Sequence, residues 1–373
     1  MTQTAPRRQH RQRWQARRAA ARAAGWHGRP IAALFLLLAA AGCGNRDNKT
    51  AMLAPRSKLS VTTLAPSGAG EDDGAGKLRL AAQLLEEHPL PLSAKVRQTV
   101  NVMGHEMRGT GDYYQMPYAG EGALASMLSR MDLRVQIHDR TAMWKQVCDG
   151  KFIWTESRVP DEEKTLARAD GEPGYSTRLD RVDLAEALEK QGLVRDSDAP
   201  PAGAVSGLPQ LLRTLAGVFD FAPPRSILMR SPDGKWVDVW LLEGQWDPGV
   251  LGELLPEQGR AIKLGAIDLG LLPPRMPDRV KVYLGQKRSG PWLGALTSDR
   301  PPPPDLFPFR IEYGRQDAET DEVAQVLNLE VYDVVFDDDK LRPDKFTFKS
   351  SRKHRNATSR FVRALQRSVR AAK

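Results

Sequence analysis

The chain has 373 residues, 41% of them hydrophobic, and a net charge of +9. Eight arginines and no acid stand in its first 29 residues, so nearly all of that excess belongs to a basic leader, and the pI of 9.6 is no argument for nucleic-acid binding. Two cysteines, Cys43 and Cys148, exclude a disulfide framework or a cysteine metal cluster, and the roughly 270 residues that form the main body must be held by a buried core.

Ile31 to Ala41 is an apolar run too short to span a bilayer, which needs roughly 20 residues. A basic n-region, a short apolar stretch and small residues before a cut site describe a secretory signal. Cys43 follows Ala40, Ala41 and Gly42 directly. This resembles a bacterial lipobox, with Ala40 where leucine is usual, and implies that Cys43 is diacylated and becomes the new N-terminus. An ordinary cleaved signal with an incidental cysteine is the alternative. Gly44 rather than Asp follows Cys43, which by analogy with enterobacterial sorting points to the outer membrane rather than the inner. The expected organisation is a signal at 1–42, a Gly- and Pro-containing tether at 43–76, a domain at 77–349 and a basic tail at 350–373. The tether, stretched at roughly 3.3 Å per residue, reaches on the order of 100 Å.

Lys77–His88 places Leu78, Ala81, Ala82 and Leu85 at helical spacing, ended by Pro89 and Pro91. Strands follow. Val96, Val100 and Val102 share one face of the first, and a glycine-containing run around 107–117 is the second. In the next, Met131, Leu133, Val135 and Ile137 alternate with Asp132, Arg134, Gln136 and His138. Asp149-Gly150 marks a hairpin turn between two β-prone runs. Residues 181–193 and 207–219 have helical spacing. A second hairpin is expected around Asp233-Gly234, and its outgoing strand is apolar on both faces, with Trp236, Trp240 and Leu242 on one and Val237, Val239 and Leu241 on the other. A short helix is expected near 248–259. The closing strands are expected at 278–286, 307–315, 325–336 and 345–351, with Pro301–Pro304 in a loop. The tail is amphipathic, with Phe361, Leu365 and Val369 on one stripe. It suits either an anionic membrane surface or packing against the domain.

Strands, helices, then strands predict an α+β protein with one extended antiparallel sheet. The order of elements, with Asp149-Gly150-Lys151-Phe152-Ile153-Trp154 in the early hairpin and Asp337-Asp338-Asp339 before Phe346-Thr347-Phe348, resembles the lipoprotein-localisation carriers LolA and LolB and their superfamily. The resemblance covers roughly 77–349. It implies a strongly curved, incomplete β-barrel closed by helices, with an apolar interior that holds acyl chains. Cys43 and the extra segments near 160–210 and 285–305 depart from that pattern. Candidate ligand-lining residues are Met131, Leu133, Val135, Ile137, Trp154 and Trp240, all of which are also what a sheet needs to pack. No hydrolase, zinc-protease or phosphate-loop motif is present in the sequence, and His105, Glu106 and His138 are poorly placed for a metal because neighbours on a strand point to opposite faces. No catalytic residue, metal or cofactor is expected. The expected partners are a membrane through acylated Cys43, a lipid or other apolar ligand, and a protein of the cell envelope, with the chain facing the periplasm. The alternative is a structural or protein-interaction module whose interior is filled by its own side chains.

Overall fold

The computed structural model describes residues 73–88, 91–102, 105–118, 124–137, 140–161, 165, 174–190, 205–232, 234, 236–263, 272–273, 276–286, 305–316, 322–336, 338, 340–350 and 352–363. Cys43 and the signal, nearly all of the tether, His138, Asp233, Pro301–Pro304, Asp337, Asp339, Leu365 and Val369 lie outside the described residues.

Helix α1 (Gly74–Glu87) starts on Asp73, whose carboxylate accepts from the Gly76 N–H, and buries Leu78, Ala81, Ala82 and Leu85, the face expected from the sequence. Six strands follow: β1 (Leu92–Val102), β2 (His105–Pro117), β3 (Met127–Ile137), β4 (Arg140–Cys148), β5 (Phe152–Pro160) and β6 (Tyr175–Asp183). The turn between β4 and β5 needs its glycine: Gly150 has φ +88°, a conformation that costs other residues steric strain. Asp149 completes it, its Oδ1 accepting from the Lys151 and Phe152 N–H groups and its Oδ2 from Trp154 Nε1.

Helices α2 (Leu184–Glu189) and α3 (Gly207–Val218) come next, then β7 (Phe219–Phe221), β8 (Arg225–Arg230), β9 (Trp236–Trp246), α4 (Pro248–Leu254) and α5 (Gly259–Lys263). The chain closes with β10 (Arg279–Gly285), β11 (Pro308–Gln316), β12 (Val323–Phe336), a 3-10 turn at Pro343–Phe346 and the short β13 (Arg355–Asn356).

Among the described residues these strands make one sheet, in the order β13-β6-β5-β4-β3-β2-β1-β12-β11-β10-β9-β7, with β8 also on β9. All neighbours are antiparallel except β13 on β6. The first strand meets the last long one at the centre, so the two halves of the chain are joined by the β1–β12 ladder. The sheet is open, with β13 and β7 at its ends, and α1 and α3 pack together on one face. This is the α+β sheet closed by helices that the element order predicted.

Two expectations differ. Strand β6 replaces the first part of the helix expected from residue 181. Its sequence, YSTRLDRVD, is too polar to announce a strand, and the helix begins only at Asp183, whose carboxylate accepts from the Glu186 N–H. The expected closing strand at 345–351 is a 3-10 turn and an extended segment instead. Its Phe346 packs on Leu128 and Val147, over strands already paired on both sides, where no free edge exists to receive another. Of the tail, for which the sequence left packing against the domain open, residues 355–363 dock at the β6 edge. Arg355 and Arg360 both reach the buried carboxylate of Asp180, at 2.9 and 3.1 Å, beside Arg178 at 2.7 Å, and Val362 joins a small cluster with Cys148, Ile153 and Leu184.

Candidate functional site

Alternation puts Ala94, Val96, Gln98 and Val100 of β1 on the helix-covered face. The ladders extend that face sideways. Gln98 lies opposite Gly109 of β2 and Leu329 of β12. Gly109 lies opposite Val135, which lies opposite Ala142. Leu329 lies opposite Ile311, then Val282, then Leu242. One cross-strand row therefore runs over eight strands, from β4 to β9, and every member is buried. Gln98 is its single polar residue.

The helices are fixed to this face by polar contacts on β2 and β3. The Tyr113 hydroxyl donates to Gln115 Oε1 at 2.8 Å and accepts from the Leu208 N–H at 3.0 Å. Gln115 Nε2 donates to the Leu85 carbonyl at 2.8 Å. Ser129 and Ser206 share a hydroxyl contact of 2.6 Å. Gly207 opens α3 with φ +74°, and a Cβ there would come within 2.5 Å of the Tyr113 oxygen, so the approach of α3 to β2 depends on glycine. Burial pushes the Tyr113 phenol up from its ordinary value, which keeps it neutral and able to donate. An ion pair between Arg213 and Glu86 ties the two helices to each other.

Gln98 is different. It is 0% exposed, and neither its Nε2 nor its Oε1 has a hydrogen-bond partner among the described residues. Leaving one such buried group unpaired costs about 1–3 kcal/mol.

The candidates Leu133 and Val135 are buried in the core on this face, and Met131 and Ile137 pack against it. Trp240 of β9 lies on the same face with the Lys77 ammonium 4.8 Å from its ring centre. Trp154 is elsewhere. It pairs with Val147 on the opposite side of the sheet, stacks on Phe348 with ring centres 5.2 Å apart, and lies beside Phe346 and Leu128. Five of the six candidates are thus brought onto one face, and Trp154 is not. Cys148 is a buried free thiol, pushed up from its ordinary value by burial. Gln98 and Tyr113 were missed, although a signal existed: in Val96-Arg97-Gln98-Thr99-Val100 the glutamine falls in the apolar phase of the strand.

No protein-family model matches the chain, and no curated protein matches it. Among solved structures, it is similar to a LolA superfamily protein from Nitrosomonas europaea, at 13% identity over 74% of this chain and 97% of that one, with a TM-score of 0.23. It is similar also to a putative outer membrane lipoprotein-sorting protein domain from Vibrio parahaemolyticus, at 9% identity over 74% and 97%, TM-score 0.27. A third is a DUF1329 family protein from Desulfovibrio piger, at 9% identity over 74% and 98%, TM-score 0.24. At such TM-scores the likeness carries no argument, and the architecture stands on the strand order and register described above.

Proposed function

We propose that this protein is a binding protein of the bacterial envelope, anchored through an acylated Cys43, whose helix-covered sheet face takes a lipid, an acylated molecule or another apolar ligand. The observation that carries the reading is the eight-strand apolar row beneath α1 and α3. The covering helices bury Leu78, Leu85, Leu208, Leu212 and Leu215 in the core on this face, are positioned by polar contacts at Tyr113, Gln115 and Ser129, and are tied to each other by Arg213 and Glu86, so that the pair could shift over the sheet as a unit. The anchor and the tether of about thirty residues would let the domain reach away from the membrane that holds it.

Native mass spectrometry of protein purified without added lipid tests the ligand reading. A co-purifying apolar mass lost on organic extraction supports it, and a bare polypeptide mass that takes up no fatty acid opposes it. Cys43→Ser should abolish acyl labelling of the full-length precursor. Normal labelling of that variant removes the anchor.

A second reading, in which side chains fill the face and the sheet docks an envelope protein, is favoured by Leu228 and Trp236. They are 63% and 56% exposed and sit on the same side of the β8–β9 ladder. A side-chain-filled interior would leave the purified protein without bound lipid and without uptake.

A further inference from the structure

We propose that the tether is itself the partner of the exposed β8 edge, and that its residues 58–64 add there as a further antiparallel strand. The inference is independent of the ligand reading, because β8 lies at the rim of the sheet and its central side chain is exposed.

Strands β7 and β8 lie one after the other along the outer side of β9, and β8 pairs with no second strand among the described residues. Such an edge presents backbone N–H and C=O groups that template another strand. Leu228, in the middle of β8, is 63% exposed. At the opposite end of the sheet the chain closes its own edge, with Arg355–Asn356 on β6. The tether enters beside β8. Asp73 caps α1, and Gly74 lies against the end of β7, where a Cβ would come within 2.6 Å of Phe221 Cβ and 3.1 Å of the Ala222 carbonyl oxygen. Strand β8 begins just beyond, at Arg225.

The tether carries a segment suited to that edge. Residues 56–65 are free of Gly and Pro, stand between Pro55 and Pro66, and contain the β-branched cluster Val61-Thr62-Thr63 beside Leu59 and Leu64, a composition that favours strand. Residues 65–72 join this segment to Asp73 and reach roughly 26 Å when extended, more than the roughly 20 Å length of β8. An antiparallel course is the direct one, because it sets Leu64 near Arg225, at the end where Asp73 enters. A second copy of the chain paired about the middle of β8 would instead set Arg225 against Arg230, like charges directly opposite. The added strand would cover Leu228 and leave residues 44–57 free, with a reach of roughly 45 Å in place of about 100 Å. Pairing and release would then give the domain a short and a long reach from the membrane.

Hydrogen exchange on the full chain tests the pairing. Residues 57–65 are replaced by a Gly/Ser segment of equal length, and exchange is compared with wild type over 225–230, with β3 as the internal control. The amides of 225–230 should exchange about tenfold faster in the replaced chain, with β3 unchanged. Val61→Pro and Thr62→Pro sharpen the result. Alternate residues of an antiparallel strand bond to a given neighbour, and Pro removes the donor, so one of the two variants should match the replaced chain and the other should fall closer to wild type. Equal exchange over 225–230 in wild type and the replaced chain overturns the proposal. If that shared exchange is slow and quickens on dilution, the edge belongs to a second copy; if it is fast, the edge is open in the isolated protein and left to another partner. Faster exchange in β3 as well as in β8 also overturns it, because residues 57–65 would then support the core rather than the edge.

Discussion

The two faces of the same sheet solve the problem of burial in opposite ways. Along β1, Leu92, Ala94, Val96 and Val100 enter the core beneath the helices, while Lys95 and Arg97 point the other way and pair with Asp112 and Glu330 at 2.7 and 2.5 Å. The far face continues with Arg130 on Asp132 and Arg310 on Glu330, both at 2.7 Å. It is a ladder of opposite charges, each pair of modest value where it is exposed. That face turns apolar where residues 341–348 cross it and cover Leu128, Val147 and Trp154, and again on β8 and β9, where Met229, Val237, Val239 and Leu241 are buried on the side away from Leu242. An apolar residue on a strand therefore need not face the helices, and only those that do belong to the candidate site.

The sharpest way to break the comparison is to put a charge on the covered face. Val135 is 2% exposed, one strand in from the β4 end of the eight-strand row. Val135→Asp should cost on the order of 3–5 kcal/mol, the scale of a buried charge without a partner, and give little soluble protein. A urea midpoint close to wild type would show that the face is wet. Next in size is the pin between sheet and helix. Tyr113→Phe keeps the ring but leaves the Leu208 N–H and the Gln115 carbonyl oxygen without their partner, so about 1–3 kcal/mol should be lost. If α3 is part of a movable cover, hydrogen exchange should quicken in α3 more than in β3. Uniform quickening would mean that cover and sheet open together. On the opposite face the deepest charge is Glu330, 3% exposed and held by Arg97 and Arg310. Glu330→Gln should cost about 1 kcal/mol, since Arg97 is well solvated and screens the loss. A loss as large as that of Val135→Asp would show that the far face is as closed as the covered one.

Much of this was legible in the sequence where one period dominates. Met131, Leu133, Val135 and Ile137 alternate with polar residues, and the ladder puts them on the covered face. Leu78, Ala81, Ala82 and Leu85 recur at helical spacing, and they are the buried side of α1. Legibility failed where long-range contacts decide. Trp154 has the same local pattern as a core residue, and only the crossing of Phe348 tells which side it serves. Strand β6 is nearly all polar, and it is a strand because Phe152–Pro160 offers it an edge and Arg355–Asn356 closes the other. Phe346-Thr347-Phe348 has strand composition and no edge to join. Gln98 was visible as a polar residue in an apolar phase, but its lack of a partner depends on Gly109 and Leu329, which arrive from strands distant in sequence.

The smallest effect is expected one residue from the largest. Arg134 is exposed, pairs across the sheet with Thr110 and Met143, and sits on the side away from the helices. Arg134→Asp reverses its charge in solvent, so neither a buried group nor a cavity is created, and the change should stay within about 0.5 kcal/mol. Cross-strand neighbours on that face carry both signs, with Asp132 and Arg158 nearby in the ladder, so gain and loss of pairing offset one another and shrink further as salt is added. Val135→Asp and Arg134→Asp introduce the same side chain at adjacent positions of one strand. The incoming residue is the same, but the charge changes by −1 at Val135 and by −2 at Arg134, so the comparison is made at high salt, where exposed charges are screened and the difference in urea midpoint measures the asymmetry of the two faces. A difference under about 1 kcal/mol would mean that the helices do not seal the face they cover, and a destabilised Arg134→Asp with a normal Val135→Asp would mean that the covered face is the other one.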